Sequence, residues 1–270
     1  MSRFSSFPAL AAGSLAALAL LVYLLYLEAN PSAPGRPLVV YCAAALKPAA
    51  EKTAAAFEKE TGGRVEFRFG NSETILHNAD LARDGDLFLP ADDSYVRMAE
   101  QKGLVAQTLP LARMRAVVLV RPGNPRRISA FGDLLKLDLQ LGQANPDGAA
   151  IAKVTRDHLR TLGKWDALEV NTKVFHTTVT EAANAVKLGS NDAAIVWDAV
   201  AANYPELAVV RIPELDGATG RVELAVLTTA PDPTAARQFA RYLAASDRGM
   251  SHLRAAGFTD LQPGPAWSQP

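Results

Sequence analysis

Short apolar runs alternate with helical patterns along most of the chain from Leu38 onward. The first run ends at Cys42 and is apolar at every position, which indicates a strand that is covered on both faces. Small residues follow, and Pro48 suits the first turn of a helix because its missing N–H is not needed there. This alternation predicts an α/β fold with mixed, mostly parallel sheets.

The same pattern divides the rest of the chain. Glu51–Glu60 is rich in alanine and ends before Gly62, which predicts a helix with a glycine stop. Further strands are predicted from short apolar or alternating runs at Val65–Phe69, Asp86–Pro90, Arg115–Arg121, Leu137–Gly142, Val170–Phe175, Ala193–Trp197 and Val222–Thr228. Further helices are predicted after Ser72, after Ala91 and around Leu134, and at Ala149–Leu162, Val179–Leu188, Thr234–Ala244 and Asp247–Ala256.

The N-terminal segment Pro8–Leu27 has no charged residue and is about 20 residues long, enough to cross a bilayer as a helix. Residues 1–28 are therefore predicted to be a signal peptide or a membrane anchor, and residues 29–37 a linker. Because Leu27-Glu28-Ala29 fits a cleavage site poorly, a retained anchor in the inner membrane through residues 8–27 is favoured. In either case we expect a periplasmic or extracytoplasmic location.

Composition and motifs exclude several classes of protein. The 28 basic and 28 acidic residues give a net charge of zero, so no long-range field favours nucleic acid. A single cysteine rules out an internal disulfide, and no Cys/His cluster offers a zinc site. No nucleophile–histidine–acid set, GxGxxG or P-loop is visible. We therefore do not expect an enzyme. We also expect a monomer that carries no cofactor.

Five motifs in order resemble those of the molybdate-binding protein of bacterial ABC importers, a two-lobed periplasmic binding protein. They are a small-residue loop, a polar strand-to-helix turn and three mixed segments, at Cys42–Leu46, Phe69–Thr74, Gly85–Asp92, Leu162–Leu168 and Ala194–Trp197. The resemblance extends from Leu38 to Phe258. It implies a type II binding-protein fold that captures a tetrahedral oxyanion, molybdate or tungstate, for ABC permease subunits.

The resemblance also implies how the lobes are divided. Residues 38–115 together with residues 228–270 form the first lobe, and residues 116–227 form the second. Two chain crossings, near Arg115 and Thr228, then make the hinge about which the lobes close on the ligand.

In that family the oxyanion is held between the lobes without a cationic side chain. The residues that the resemblance places at this site are Ala44, Ala45, Asn71, Ser72, Gly148, Val179 and Trp197. Two of them depart from the family, because Ala45 stands where it has a serine and Trp197 where it has a tyrosine. An indole N–H still donates a hydrogen bond, whereas Ala45 has only its backbone to offer.

Three ionisable residues, Glu73, His176 and Asp198, flank these positions and leave alternatives open. Two carboxylates beside a dianion would repel it, unless they mark helix ends that face solvent. Alternatively they contact the metal centre of the oxyanion, or bind a metal cation, with His176 assisting as a donor. A further alternative is a membrane-anchored sensing ectodomain of the same fold.

Overall fold

A computed structural model describes residues 36–267. Its strands are β1 (Leu38–Ala43), β2 (Val65–Gly70), β3 (Leu87–Leu89), β4 (Val105–Val120), β5 (Leu141–Ala144), β6 (Thr172–His176), β7 (Ala193–Trp197), β8 (Ala208–Val210), β9 (Thr219–Leu227) and β10 (Asp260–Leu261). Its helices are α1 (Lys47–Thr61), α2 (Ser72–Ala82), α3 (Asp93–Gln101), α4 (Ala150–Thr161), α5 (Trp165–Asn171), α6 (Val179–Lys187), α7 (Asp198–Ala201), α8 (Pro233–Ala244) and α9 (Gly249–Ala255). Short 3₁₀ helices cover Ala44–Leu46, Phe131–Leu135 and Pro213–Leu215.

The predicted signal peptide or anchor and nearly all of the predicted linker lie outside the described residues. Within residues 36–267, no helix combines the length and the apolar character that crossing a bilayer requires.

The long strand β4 belongs to two sheets. The first sheet has the order β2-β1-β3-β9-β4, with β10 on the other side of β4. Beyond Arg115, β4 instead pairs with β7 and β8, and the second sheet continues from β7 through β5 to β6. One continuous strand therefore joins the two halves of the described structure.

The sheets were expected to be mostly parallel, and this expectation was wrong. Four strand pairs are parallel and five are antiparallel among the described strands, because β4 and β9 pair with their neighbours in antiparallel fashion. Parallel pairs are confined to β1 with its neighbours and β5 with its neighbours, where helices provide the crossovers. The fold is a mixed α/β fold.

Strand β4 starts at Val105, ten residues before the predicted Arg115. The pairing of β4 with β9 has an irregularity between Val105 and Gln107 and another between Pro110 and Ala112. Proline cannot donate to a strand ladder and is tolerated at such bulges. The bulges interrupt the alternation of buried and exposed side chains. The sequence pattern therefore did not predict this part of the strand. A smaller difference is Val170, which belongs to α5 rather than to the following strand.

All of β9 pairs within the first sheet, with Arg115 facing Thr219. The N–H of Ala116 donates to the carbonyl of Ala218 at 2.9 Å, so the two chain crossings lie side by side. This pairing favours a second crossing near Ala218 rather than near Thr228. The division of the chain into lobes stays a prediction.

Helix α1 is held against helix α8 by aromatic packing. Phe57 is buried, and its ring lies 5.1 Å from that of Phe239 and 5.2 Å from that of Tyr242, centroid to centroid and edge-on. Edge-to-face pairs add to the stabilisation from burial alone.

We expect Phe57→Ala to lower the free energy of unfolding by about 3 to 5 kcal/mol, because it leaves a cavity and removes both ring contacts. Denaturant unfolding measures the change. Leu81→Ala is the control, since Leu81 is 75% exposed, and should change the value by less than about 0.5 kcal/mol. Equal effects of the two substitutions would contradict this account of the packing.

Candidate functional site

A small cavity lies where strands of both sheets end and helices begin. Its lining residues are mostly small and come from six strand-to-helix connections: Ala43, Ala44, Ala45, Gly70, Asn71, Ser72, Ala91, Ala149, Ala150, Ile151, Thr178, Val179 and Trp197. The cavity volume is about 20 Å³. On the same measure one water needs about 10–15 Å³, so the space suits a compact ion rather than a sugar or an amino acid.

Three α-helices begin at this cavity, at Ser72, Ala150 and Val179, together with the 3₁₀ helix that starts at Ala44. The first N–H groups of a helix have no partner within the helix, and the helix dipole adds partial positive charge at that end. Among the residues that the structure describes, no lysine or arginine lines the cavity. The backbone therefore supplies the positive potential that a bound anion requires.

Ser72 is positioned to donate its hydroxyl hydrogen. The residue is buried, and its Oγ accepts the N–H of Ala91 at 3.2 Å. Because this contact uses a lone pair, the hydroxyl hydrogen remains available for a group in the cavity.

Trp197 offers a second side-chain donor. It is fully buried at the end of β7, and its Nε1 has no hydrogen-bond partner among the described residues. A buried N–H without a partner costs about 1–3 kcal/mol. The far edge of the ring packs against the backbone of β9, because a Cβ added at Gly220 would lie 2.8 Å from the ring. The packing fixes the indole while its N–H stays unsatisfied.

Six of the residues that the resemblance places at the binding site line the cavity: Ala44, Ala45, Asn71, Ser72, Val179 and Trp197. Gly148 does not. Its N–H donates to the carbonyl of Asn145 at 3.2 Å and so closes a turn. The residues of this connection that line the cavity are Ala149, Ala150 and Ile151, one to three residues further along the chain.

The three ionisable residues do not line the cavity either. Asp198 uses Oδ1 to accept the N–H of Arg115 at 3.1 Å and that of Ala199 at 2.8 Å. His176 lies beside the Asn191 amide, and burial lowers the pKa of its imidazole. Within residues 36–267, no three His, Cys, Asp or Glu side chains come together as a metal site requires.

Thr178 also lines the cavity and was not predicted there, although a local sequence signal marks it. Thr178 Oγ1 accepts the N–H of Glu181 at 3.2 Å, while Glu181 Oε2 accepts the N–H of Thr177 at 3.0 Å. Threonine followed by glutamate three residues later is the signature of a capping box, and it sets the start of α6 at the cavity.

A wider groove of about 360 Å³ adjoins the cavity and shares Ala44 and Ala45 with it. Lys47, Glu51 and Lys52 line this groove, and Lys47 Nζ lies 3.7 Å from a Glu51 carboxylate oxygen. The side-chain charges near the cavity therefore lie outside it.

A small cavity surrounded by helix starts, at the junction of two α/β sheets, is typical of binding proteins for small anions. Residues 38–259 match the family model of bacterial extracellular solute-binding proteins, and the chain belongs to this family. It is a solute-binding protein and not an enzyme. The expected non-enzymatic function is confirmed by this membership.

Two comparisons concern molybdate-binding proteins. The chain is 27% identical over 233 residues to the molybdate-binding protein ModA of Mycobacterium tuberculosis, covering 85% of this chain and 87% of that protein. Its fold is similar to that of the Azotobacter vinelandii periplasmic molybdate-binding protein, with a TM-score of 0.72 and 20% identity over 83% of this chain and 100% of the other. The resemblance seen in the sequence is confirmed.

A third comparison widens the range of ligands among proteins of this fold. The sulfate-binding protein SubI of M. tuberculosis is similar with a TM-score of 0.73 and 19% identity, over 85% of this chain and 88% of the other. At this identity the likeness concerns the fold alone.

We expect Asp198 to stabilise the fold rather than to bind a ligand. Asp198→Ala should lower the free energy of unfolding by about 1–2 kcal/mol, because two N–H groups lose their acceptor. Asp198→Asn keeps an amide oxygen in place and should lose less, as measured by denaturant unfolding. Equal losses for the two variants would show that the two N–H contacts do not matter.

Proposed function

We propose that this protein captures a fully ionised tetrahedral oxyanion, molybdate or tungstate, in the cavity between its two halves and delivers it to an ABC permease. The observation that carries this proposal is that Trp197 lines the cavity while its buried Nε1 has no hydrogen-bond partner among the described residues. A bound oxygen atom would satisfy it and remove the penalty of the unpaired donor.

The other polar groups of the cavity support an anion of this kind. The side chains of the lining hold spare hydrogens: those of the Ser72 and Thr178 hydroxyls, the Trp197 indole N–H and the second hydrogen of the Asn71 amide. Helix starts add backbone donors. A site of donors favours an oxyanion that carries no proton, so phosphate, which is partly protonated at neutral pH, should bind less well.

The choice of molybdate or tungstate rests on the relatives. The M. tuberculosis protein, 27% identical over most of the chain, is named for molybdate. The similar fold of a sulfate-binding protein makes sulfate the natural competitor. Export, a periplasmic location and an N-terminal anchor that keeps the protein near the permease complete the proposal.

Calorimetric titration of the purified protein with molybdate, tungstate, sulfate and phosphate tests the ligand. We expect molybdate and tungstate to bind more tightly than sulfate, and phosphate to bind weakly or not at all. Trp197→Phe and Ser72→Ala should each reduce molybdate affinity about 10- to 100-fold, since each removes one hydrogen bond to a charged group. Leu188→Ala, at an exposed position, is the control. Absence of heat with all four anions would refute the proposal.

Glu73→Gln separates an oxyanion site from a site for a metal cation. If Glu73 were a cation ligand, the substitution would abolish binding. For an oxyanion we expect molybdate affinity to stay the same or to rise, because a negative charge near the cavity is removed. The same titration measures the effect, and a large loss of molybdate affinity would contradict the donor-only site.

A further inference from the structure

The Asn71 side chain joins the start of α2 to the opposite half of the protein. Its Oδ1 accepts the N–H of Thr74 at 2.8 Å and so caps the helix. Its Nδ2 donates to the carbonyl of Thr177 at 3.3 Å, just before α6. Asn71 and Ser72 follow β2 of the first sheet, whereas Thr177 follows β6 of the second. One amide therefore links the two halves beside the cavity.

A second bond across the same junction lies next to it. The N–H of Glu73 donates to the carbonyl of Gly148 at 3.0 Å. The Asn71 amide also packs against Gly148, because a Cβ added there would lie 3.0 Å from Nδ2. The start of α2 thus contacts both connections that bring α4 and α6 to the cavity.

An amide group has two hydrogens on its nitrogen. The Asn71 amide gives one hydrogen to Thr177, and the residue lines the cavity, where the second hydrogen can meet a bound oxygen. Because the same nitrogen serves both contacts, the presence of an anion and the closed arrangement of the two halves favour the same orientation of the amide.

From this geometry we infer that Asn71 is a positioning residue that couples anion binding to closure of the two halves. The inference rests on the proposed function. The inferred role of Asn71 is more than a ligand contact. One side chain would bind the anion and also hydrogen-bond the connection that leads into α6. Loss of the amide should shorten the lifetime of the complex more than it slows association.

Three variants separate this role from helix capping. Asn71→Ser keeps an N-cap oxygen but cannot reach Thr177, and Asn71→Asp keeps the shape and the cap but lacks the N–H donor. Gly148→Ala keeps the Asn71 amide, but the added Cβ displaces that amide from its present position. Asp232→Ser is the matched control, since Asp232 caps α8 through Thr234 and Ala235, away from the cavity.

The experiment measures molybdate dissociation by stopped flow and the distance between the two halves by paired fluorescent labels. Cysteines introduced at the exposed Lys59 and Lys173 carry the labels, while Cys42 stays unreactive because it is buried and burial raises the pKa of its thiol. All measurements use the full-length protein, with thermal stability recorded in parallel.

For Asn71→Ser we expect molybdate dissociation about tenfold faster and a longer distance between labels without ligand, at unchanged thermal stability. Asn71→Asp should bind still more weakly although it caps α2 equally well, Gly148→Ala should dissociate faster than wild type, and Asp232→Ser should bind like wild type. Wild-type dissociation and label distance for Asn71→Ser would overturn the inference while leaving the proposed function intact. If wild type binds no oxyanion, the proposed function fails, and the unliganded label distances still decide whether Asn71 holds the halves together.

Discussion

A helix start leaves N–H groups without partners, and this constraint shapes the centre of the molecule. Some of these groups are satisfied by caps, as at Asn71 and Thr178. The groups nearest the cavity are flanked by alanine rather than by capping side chains, at Ala44 and Ala150. Polar side chains therefore hold some of the helices in position, while backbone N–H groups at the other helix starts remain available to a solute.

A site of this kind depends on rigid placement, since no flexible cation adjusts to the ligand. The shared strand β4 provides that placement, because it is hydrogen-bonded to β9 in the first sheet and to β7 in the second. Asp198 binds the backbone of Arg115 at the point where β4 passes from one sheet to the other. The carboxylate next to the site therefore holds the joint between the two halves.

The sequence was sufficient for the positions that directly adjoin a buried strand. Trp197 ends an apolar run and Ser72 begins a helix after a strand, so each could be placed at the carboxyl end of its own strand from the sequence, and the family resemblance assigned both to one site. Gly148 was less predictable, because the turn that closes on Asn145 decides which backbone N–H groups face inward. The early part of β4 was hidden by Pro110, and strand direction depends on long-range pairing that no local pattern records.

The contact between Trp197 and Gly220 limits which residues can stand at these two positions. The indole occupies the space that a side chain at Gly220 would need, so any larger residue there would push the ring out of its place. Conversely, a smaller ring at position 197 would leave a void against β9. The two positions are far apart in the chain, on strands that flank β4 from either side, yet each limits the other: an indole at position 197 requires a glycine at position 220.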